Sequence, residues 1–276
     1  MIHERLSILG TATLETWFPS NSAEMNPERT RPTVVICPGG GYLFTSDREA
    51  EPIALRLAAR GINAAVLRYS CAPARFPVAL RELAASVALL RERAREWNVA
   101  KDRVFTMGFS AGGHLAASLG VLYDDSVLAD FGSDIRPNGL VLCYPVILSR
   151  EFSHEGSFAE LLGDRIEPLR DSLSLDLRVT ERTPPAFIWH TWEDEIVPLE
   201  NSLAFARALR RHGVPFEYHV FQRGKHGLST ASKDTINAKA WGIEPSCQVW
   251  IDMAARWIDE TVASGEQDSI IVPEVS

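Results

Sequence analysis

Gly108-Phe109-Ser110-Ala111-Gly112 is the stretch on which the reading of this chain turns. It follows the apolar run Val104-Phe105-Thr106-Met107, which reads as a strand. It opens onto Ala111 to Leu122, whose composition and spacing predict a helix. A serine set between strand and helix, with a glycine two positions to either side, occupies a tight turn. The glycines permit close backbone approach, and the helix start directs free N–H groups and partial positive charge at whatever the serine attacks. Ser110 is therefore the candidate nucleophile.

Outward from this turn, short apolar runs alternate with helical patterns. Thr33–Cys37, Asn63–Leu67, Gly139–Tyr144, Ala186–His190 and Phe216–Phe221 read as strands. Glu49–Arg60, Pro77–Trp97, Leu199–His212 and Cys247–Val262 read as helices, each with one apolar stripe. Strands alternating with helices in this way imply βαβ units: an α/β fold with a mostly parallel central sheet and helices on both faces. Arg5–Trp17 can add an antiparallel pair at one edge. The whole chain, 1–276, reads as one domain.

The stretch from Leu148 to Thr183 breaks the rhythm. It is charged throughout, and Phe152, Phe158, Leu161 and Leu162 are among its few apolar residues; its one helical pattern runs from Ser157 to Leu162. Its length marks it as a small cap beside the site. From Ala263 onward the chain reads as a tail.

A nucleophilic serine needs a base and an acid to orient the base, in the chain order serine, acid, histidine on this kind of sheet. Glu193-Asp194-Glu195 follows the Ala186–His190 strand, and Gly224-Lys225-His226-Gly227 follows Phe216–Phe221, so both stand at carboxyl ends of strands. His226 is the candidate base. Asp194 is the candidate acid, with Glu193 and Glu195 as solvated or helix-capping residues. His190, His212 and His219 read as ordinary strand or surface residues, and His114, just inside the helix after Ser110, as a packing residue or one that contacts the catalytic residues from behind. Pro38-Gly39-Gly40-Gly41-Tyr42, after the Thr33–Cys37 strand, is a glycine loop able to bring N–H groups to a substrate oxygen. No Lys-Ser/Thr follows it and the GxGxxG spacing is missing, which argues against a nucleotide site.

Composition narrows the function classes. Hydrophobic residues make up 46% and charged residues 23% of the 276, enough to bury a full core. The net charge of −8 argues against nucleic acid or an anionic membrane surface as partner. Cys37, Cys71, Cys143 and Cys247 form no CxxC pair. With no signal-peptide pattern at the start, they point to reduced thiols, a cytoplasmic location and no zinc.

The segments PGGGY (38–42), MGFSAGGHLAA (107–117), HTWEDEIVPLENS (190–202) and GKHGLS (224–229) together resemble the α/β-hydrolase-fold acetylesterases. This group is akin to acetyl-xylan esterases and to hormone-sensitive-lipase-like carboxylesterases. The resemblance spans roughly residues 30 to 260. It implies Ser110, Asp194 and His226 as the catalytic triad and Gly40, Gly41 and Ala111 as the oxyanion-hole positions. It further implies short-acyl, often acetyl, ester hydrolysis on a small-molecule substrate such as an acetylated oligosaccharide, with no metal or organic cofactor. Trp192-Glu193 departs from the small residues usual before the acid and bears on pocket shape. A peptidase or a lipase on the same fold is one alternative, and a binding protein that retains the scaffold is another. The oligomeric state stays open.

Overall fold

The computed structural model describes residues 1–132 and 134–261. The expected tail, and Val262 at the end of the expected last helix, lie outside the described residues.

Eight strands form one sheet: β1 (Arg5–Ser7), β2 (Thr13–Trp17), β3 (Arg31–Cys37), β4 (Asn63–Arg68), β5 (Val99–Phe109), β6 (Gly139–Cys143), β7 (Ala186–Thr191) and β8 (Phe216–Phe221). Their spatial order is β1-β2-β4-β3-β5-β6-β7-β8. The pairs β1/β2 and β2/β4 are antiparallel, which is the expected edge pair, and all later pairs are parallel. β5 thus lies inside the sheet, and the turn at Ser110 stands at its carboxyl end, where open α/β sheets bind ligands.

Every residue of β3, β6 and β7 is buried because both faces of the sheet are covered. The two-residue period divides them between two cores. Val35, Ala65, Leu142 and Ile188 face one way, toward α2 (Val78–Glu92), α3 (Ala111–Leu122) and α6 (Glu200–Arg211). Val34, Ala64, Val141 and Phe187 face the other way, toward α1 (Glu51–Ala58) and α7 (Trp250–Glu260). On that second face Trp250 stacks on Trp189 with centroids 5.2 Å apart, and its indole N–H donates to the Ser229 carbonyl at 2.9 Å.

Several expected boundaries differ. The helix expected over 77–97 ends at Glu92; the chain then turns, Trp97 is buried edge-on to Phe18, and Asn98 adopts a positive φ of 54°. β5 accordingly begins at Val99, earlier than expected, with the register slipping between the Val99–Arg31 and Val104–Thr33 pairs. The helix expected from Glu49 starts instead at Glu51, after a single 3-10 turn over Asp47–Glu49.

The segment 148–183 holds α4 (Glu155–Leu162), α5 (Ile166–Leu169) and several 3-10 turns. Its apolar residues Phe158, Leu161, Leu162, Leu173 and Leu175 are buried in the first core. His114, in the first turns of α3, ties it down. The ring Nε2–H donates to the Leu173 carbonyl at 3.1 Å, and Nδ1 accepts from the Tyr42 hydroxyl at 2.9 Å. Phe158 meets the ring edge-on at 5.4 Å. Among the described residues no helix is long and apolar enough to cross a membrane.

Burial pushes His114 down from 6.5 to about 4, against a smaller opposing effect of its bond to Leu173. A folded value below the unfolded one means stability that is full above about 6.5 and is lost as pH falls toward 4. His114→Gln should therefore shrink its stability deficit against the native protein as pH falls through that window, by at most about 3 kcal/mol. Urea titrations of both proteins at pH 7 and pH 4.5 measure this, and a constant difference would contradict it.

Candidate active site

The site starts from backbone geometry. Ser110 caps α3 with φ 54° and ψ −120°, a conformation that costs of order 1–3 kcal/mol and is held only by its surroundings. Its N–H donates to the Cys143 carbonyl at 3.1 Å, and its carbonyl accepts from His114 N–H and Val146 N–H. The glycine at 112 is obligatory here, because a Cβ would stand 2.1 Å from the Cys37 carbonyl oxygen and 2.4 Å from that of Pro38. That contact brings the 38–42 loop against the serine turn.

The structure brings the three expected side chains together. The Ser110 hydroxyl lies 2.8 Å from His226 Nε2, and His226 Nδ1 lies 2.7 Å from Asp194 Oδ2. Asp194 Oδ1 accepts the N–H groups of Ile196 and Val197 at 3.0 and 2.9 Å. Burial alone would raise the Asp194 carboxyl. Hydrogen bonds from His190 and His226 overcome it and hold the group well below the usual carboxylate range. Ionised Asp194 accepts the Nδ1 proton, which leaves Nε2 as an acceptor for the serine hydroxyl.

Sequence reasoning missed several partners. His190, expected to be an ordinary strand residue, is fully buried with Nε2 3.2 Å from Asp194 Oδ2, so the acid has two imidazole neighbours. Glu193, expected to be solvated or capping, is exposed, and its Oε2 accepts the Gly224 N–H at 3.0 Å, two residues before His226. Glu195 is exposed. Trp192 is 71% exposed, so its bulk meets solvent, while its backbone N–H donates to the Phe221 carbonyl at 2.8 Å.

The glycine loop is fixed along its length. Tyr69 donates to the Pro38 carbonyl at 2.6 Å, and Gly39 N–H donates to Glu49 Oε2 at 2.8 Å. At Gly40, φ is 128° and a Cβ would fall 2.1 Å from the Phe44 carbonyl oxygen. The N–H groups of Gly40, Gly41 and Ala111 meet no acceptor among the described residues, so they are free to donate to a ligand. Ser157 of α4 approaches Gly41, its Oγ 3.9 Å from where a Gly41 Cβ would be. Half-buried His154, which caps α4 by accepting the Ser157 N–H at 3.2 Å, is pushed down by burial and then by the charge of nearby His226. No motif in the sequence marks His154. The described residues hold no cluster of three or more His, Cys, Asp or Glu able to bind a metal ion.

Comparison with known proteins places the fold in a family. Residues 34–230 match a family model described as the alpha/beta hydrolase fold. The chain is 37% identical over 229 residues to endo-1,4-beta-xylanase B of Butyrivibrio fibrisolvens, covering 79% of this chain and 35% of that protein. It is 28% identical over 232 residues to the acetylxylan esterase of Xylanibacter ruminicola, covering 81% of this chain and 45% of that protein. The chain thus spans less than half the length of these two relatives. The solved structure of the acetyl ester-xyloside bifunctional hydrolase of Caldicellulosiruptor lactoaceticus superposes with a TM-score of 0.76 at 37% identity, covering 91% of this chain and 88% of that one. A mostly parallel eight-stranded sheet, a serine turn at the end of β5 and a family match over most of the length lead to one conclusion: the chain belongs to the alpha/beta hydrolase fold family.

Proposed function

We propose that this protein is a serine esterase that removes short acyl groups, acetyl above all, from sugars or other small alcohols. The hydrogen-bonded path from Ser110 through His226 to Asp194, beside the free N–H groups of Gly40, Gly41 and Ala111, carries the reading. The names of the acetylxylan esterase and the acetyl ester-xyloside hydrolase among its relatives support the substrate class.

In the proposed mechanism His226 Nε2 takes the Ser110 proton as Oγ attacks the ester carbonyl, and Asp194 stabilises the imidazolium that forms. The oxyanion accepts hydrogen bonds from Ala111 and the Gly40–Gly41 loop. Collapse passes the proton to the departing alcohol, and water, activated by the same histidine, then releases the acid. These steps ask nothing of a metal or an organic cofactor. The four cysteines are free thiols, in keeping with a cytoplasmic setting.

The short-acyl part rests on the segment 148–183, which we read as a cap. Its buried apolar residues are spent on the protein body. The part near Gly41 and His226 is polar, comprising His154 and Ser157. A long acyl chain would need a continuous apolar wall, since each buried methylene is worth about 0.8 kcal/mol.

Ser110→Ala should fold normally, lose labelling by a fluorophosphonate probe and lose about 10⁴-fold or more in esterase rate. Substantial residual activity in the pure variant would remove Ser110 from the role, and an unlabelled, inactive native protein would favour the binding-protein alternative. Asp194→Asn should cost about 10³–10⁴-fold in kcat, and Glu193→Gln far less, because among the described residues the Glu193 carboxylate bonds the Gly224 amide and no triad side chain. The reverse ranking in steady-state assays would overturn the acid assignment. Across p-nitrophenyl esters, kcat/KM should peak at acetate or propionate and fall steeply beyond about four acyl carbons. A maximum at octanoate or longer would point to a lipase.

A further inference from the structure

Glu49 is a buried carboxylate, 4% exposed, for which no Lys, Arg or His lies within ion-pair distance among the described residues. A charge buried in this way is costly unless hydrogen bonds satisfy it, so its partners carry information. Oε2 accepts the Gly39 N–H at 2.8 Å, and Oε1 accepts the Tyr144 hydroxyl at 2.7 Å. The Tyr144 oxygen in turn accepts the Ser229 N–H at 2.9 Å. Tyr144 directly follows β6 and Ser229 stands three residues after His226. The Tyr144 ring meets the His226 ring nearly perpendicular, at 72°, with centroids 5.1 Å apart. A further bond, from the Ser229 hydroxyl to the Arg48 carbonyl, ties the same two loops together.

The donor pattern suits an acceptor on both oxygens. Gly39 N–H and Tyr144 O–H are both donors, and an ionised carboxyl is acceptor-only on both oxygens. Burial first, and then the charge of Glu49, push the Tyr144 phenol well above its ordinary range, so it stays a donor at any working pH. A glutamine would serve one donor and turn its NH₂ on the other. The residue immediately after Gly39 opens the pair of N–H groups left free for the oxyanion.

We propose that Glu49 is a positioning residue for the proposed esterase reaction, on which this inference rests. Through Gly39 it sets the oxyanion loop, and through Tyr144 and Ser229 it sets the histidine loop. One buried side chain thus fixes the base and the oxyanion donors relative to each other around Ser110.

The experiment uses Glu49→Gln and Tyr144→Phe, alone and combined, against p-nitrophenyl acetate, with circular dichroism to establish the fold. Glu49→Gln should lower kcat by about 10- to 100-fold with KM nearly unchanged, since misplacement by an ångström costs rate more than binding. Its affinity for a trifluoromethyl ketone, which forms the oxyanion adduct, should fall in parallel. Tyr144→Phe keeps the Gly39 bond and should lower kcat while sparing more of the ketone affinity. The double variant should be close to Glu49→Gln alone, because Tyr144 acts through the same carboxylate. If Glu49→Gln does not fold, Tyr144→Phe decides: native kcat in that variant overturns the proposal. A folded Glu49→Gln with native kcat and ketone affinity also overturns it. Failure of the native protein to hydrolyse the ester or bind the ketone would instead overturn the esterase reading itself.

Discussion

The backbone contact between the serine turn and the end of β3 is the constraint on which the site depends. Gly112 lies so close to the Cys37 and Pro38 carbonyls that no side chain fits between them. This contact does two things at once. It lets α3 begin directly at Ser110, so that the first helical N–H groups point at the serine's neighbourhood, and it holds the glycine loop within reach of the same point. The left-handed conformation of Ser110 is a local cost of order 1–3 kcal/mol. The two cores on either face of the sheet supply far more than that, because every residue of β3, β6 and β7 is buried.

Around this contact the two buried carboxylates are hydrogen-bonded beside a buried aromatic wall. Phe109, Tyr144, Trp189 and Trp250 pack edge-on, tilted or stacked at 5.0 to 5.9 Å beneath the histidine loop. In such surroundings hydrogen bonds strengthen and unpaired charges become expensive. Asp194 is accordingly surrounded by two imidazoles and two backbone N–H groups, and Glu49 by a backbone N–H and a phenol. The segment 148–183 closes on the other side through His114, whose ring spans from Tyr42 of the glycine loop to Leu173. The same small region therefore carries both structural and proposed chemical roles, and its residues do not separate cleanly into the two.

Much of this was legible in the sequence, for reasons that are local. The continuous apolar runs of the strands and the stripes of the helices determined a mostly parallel sheet covered on both faces, because burial on each side is written into consecutive residues. Gly108-Phe109-Ser110-Ala111-Gly112 determined the serine turn, because only glycine tolerates that approach. The order Ser110, Asp194, His226, each after a strand, determined which side chains share one end of the sheet. Tertiary structure alone decided what depends on distant partners. It turned Glu49 inward from a helix start to Gly39 and Tyr144, placed His190 on Asp194, and gave Glu193 to Gly224. It also ended α2 at Glu92 so that Trp97 could be buried against Phe18. The physical reason is common to all four. A carboxylate, an imidazole or an indole finds its lowest free energy through partners that the folded chain brings to it, and no periodicity in its own segment records where those partners will be.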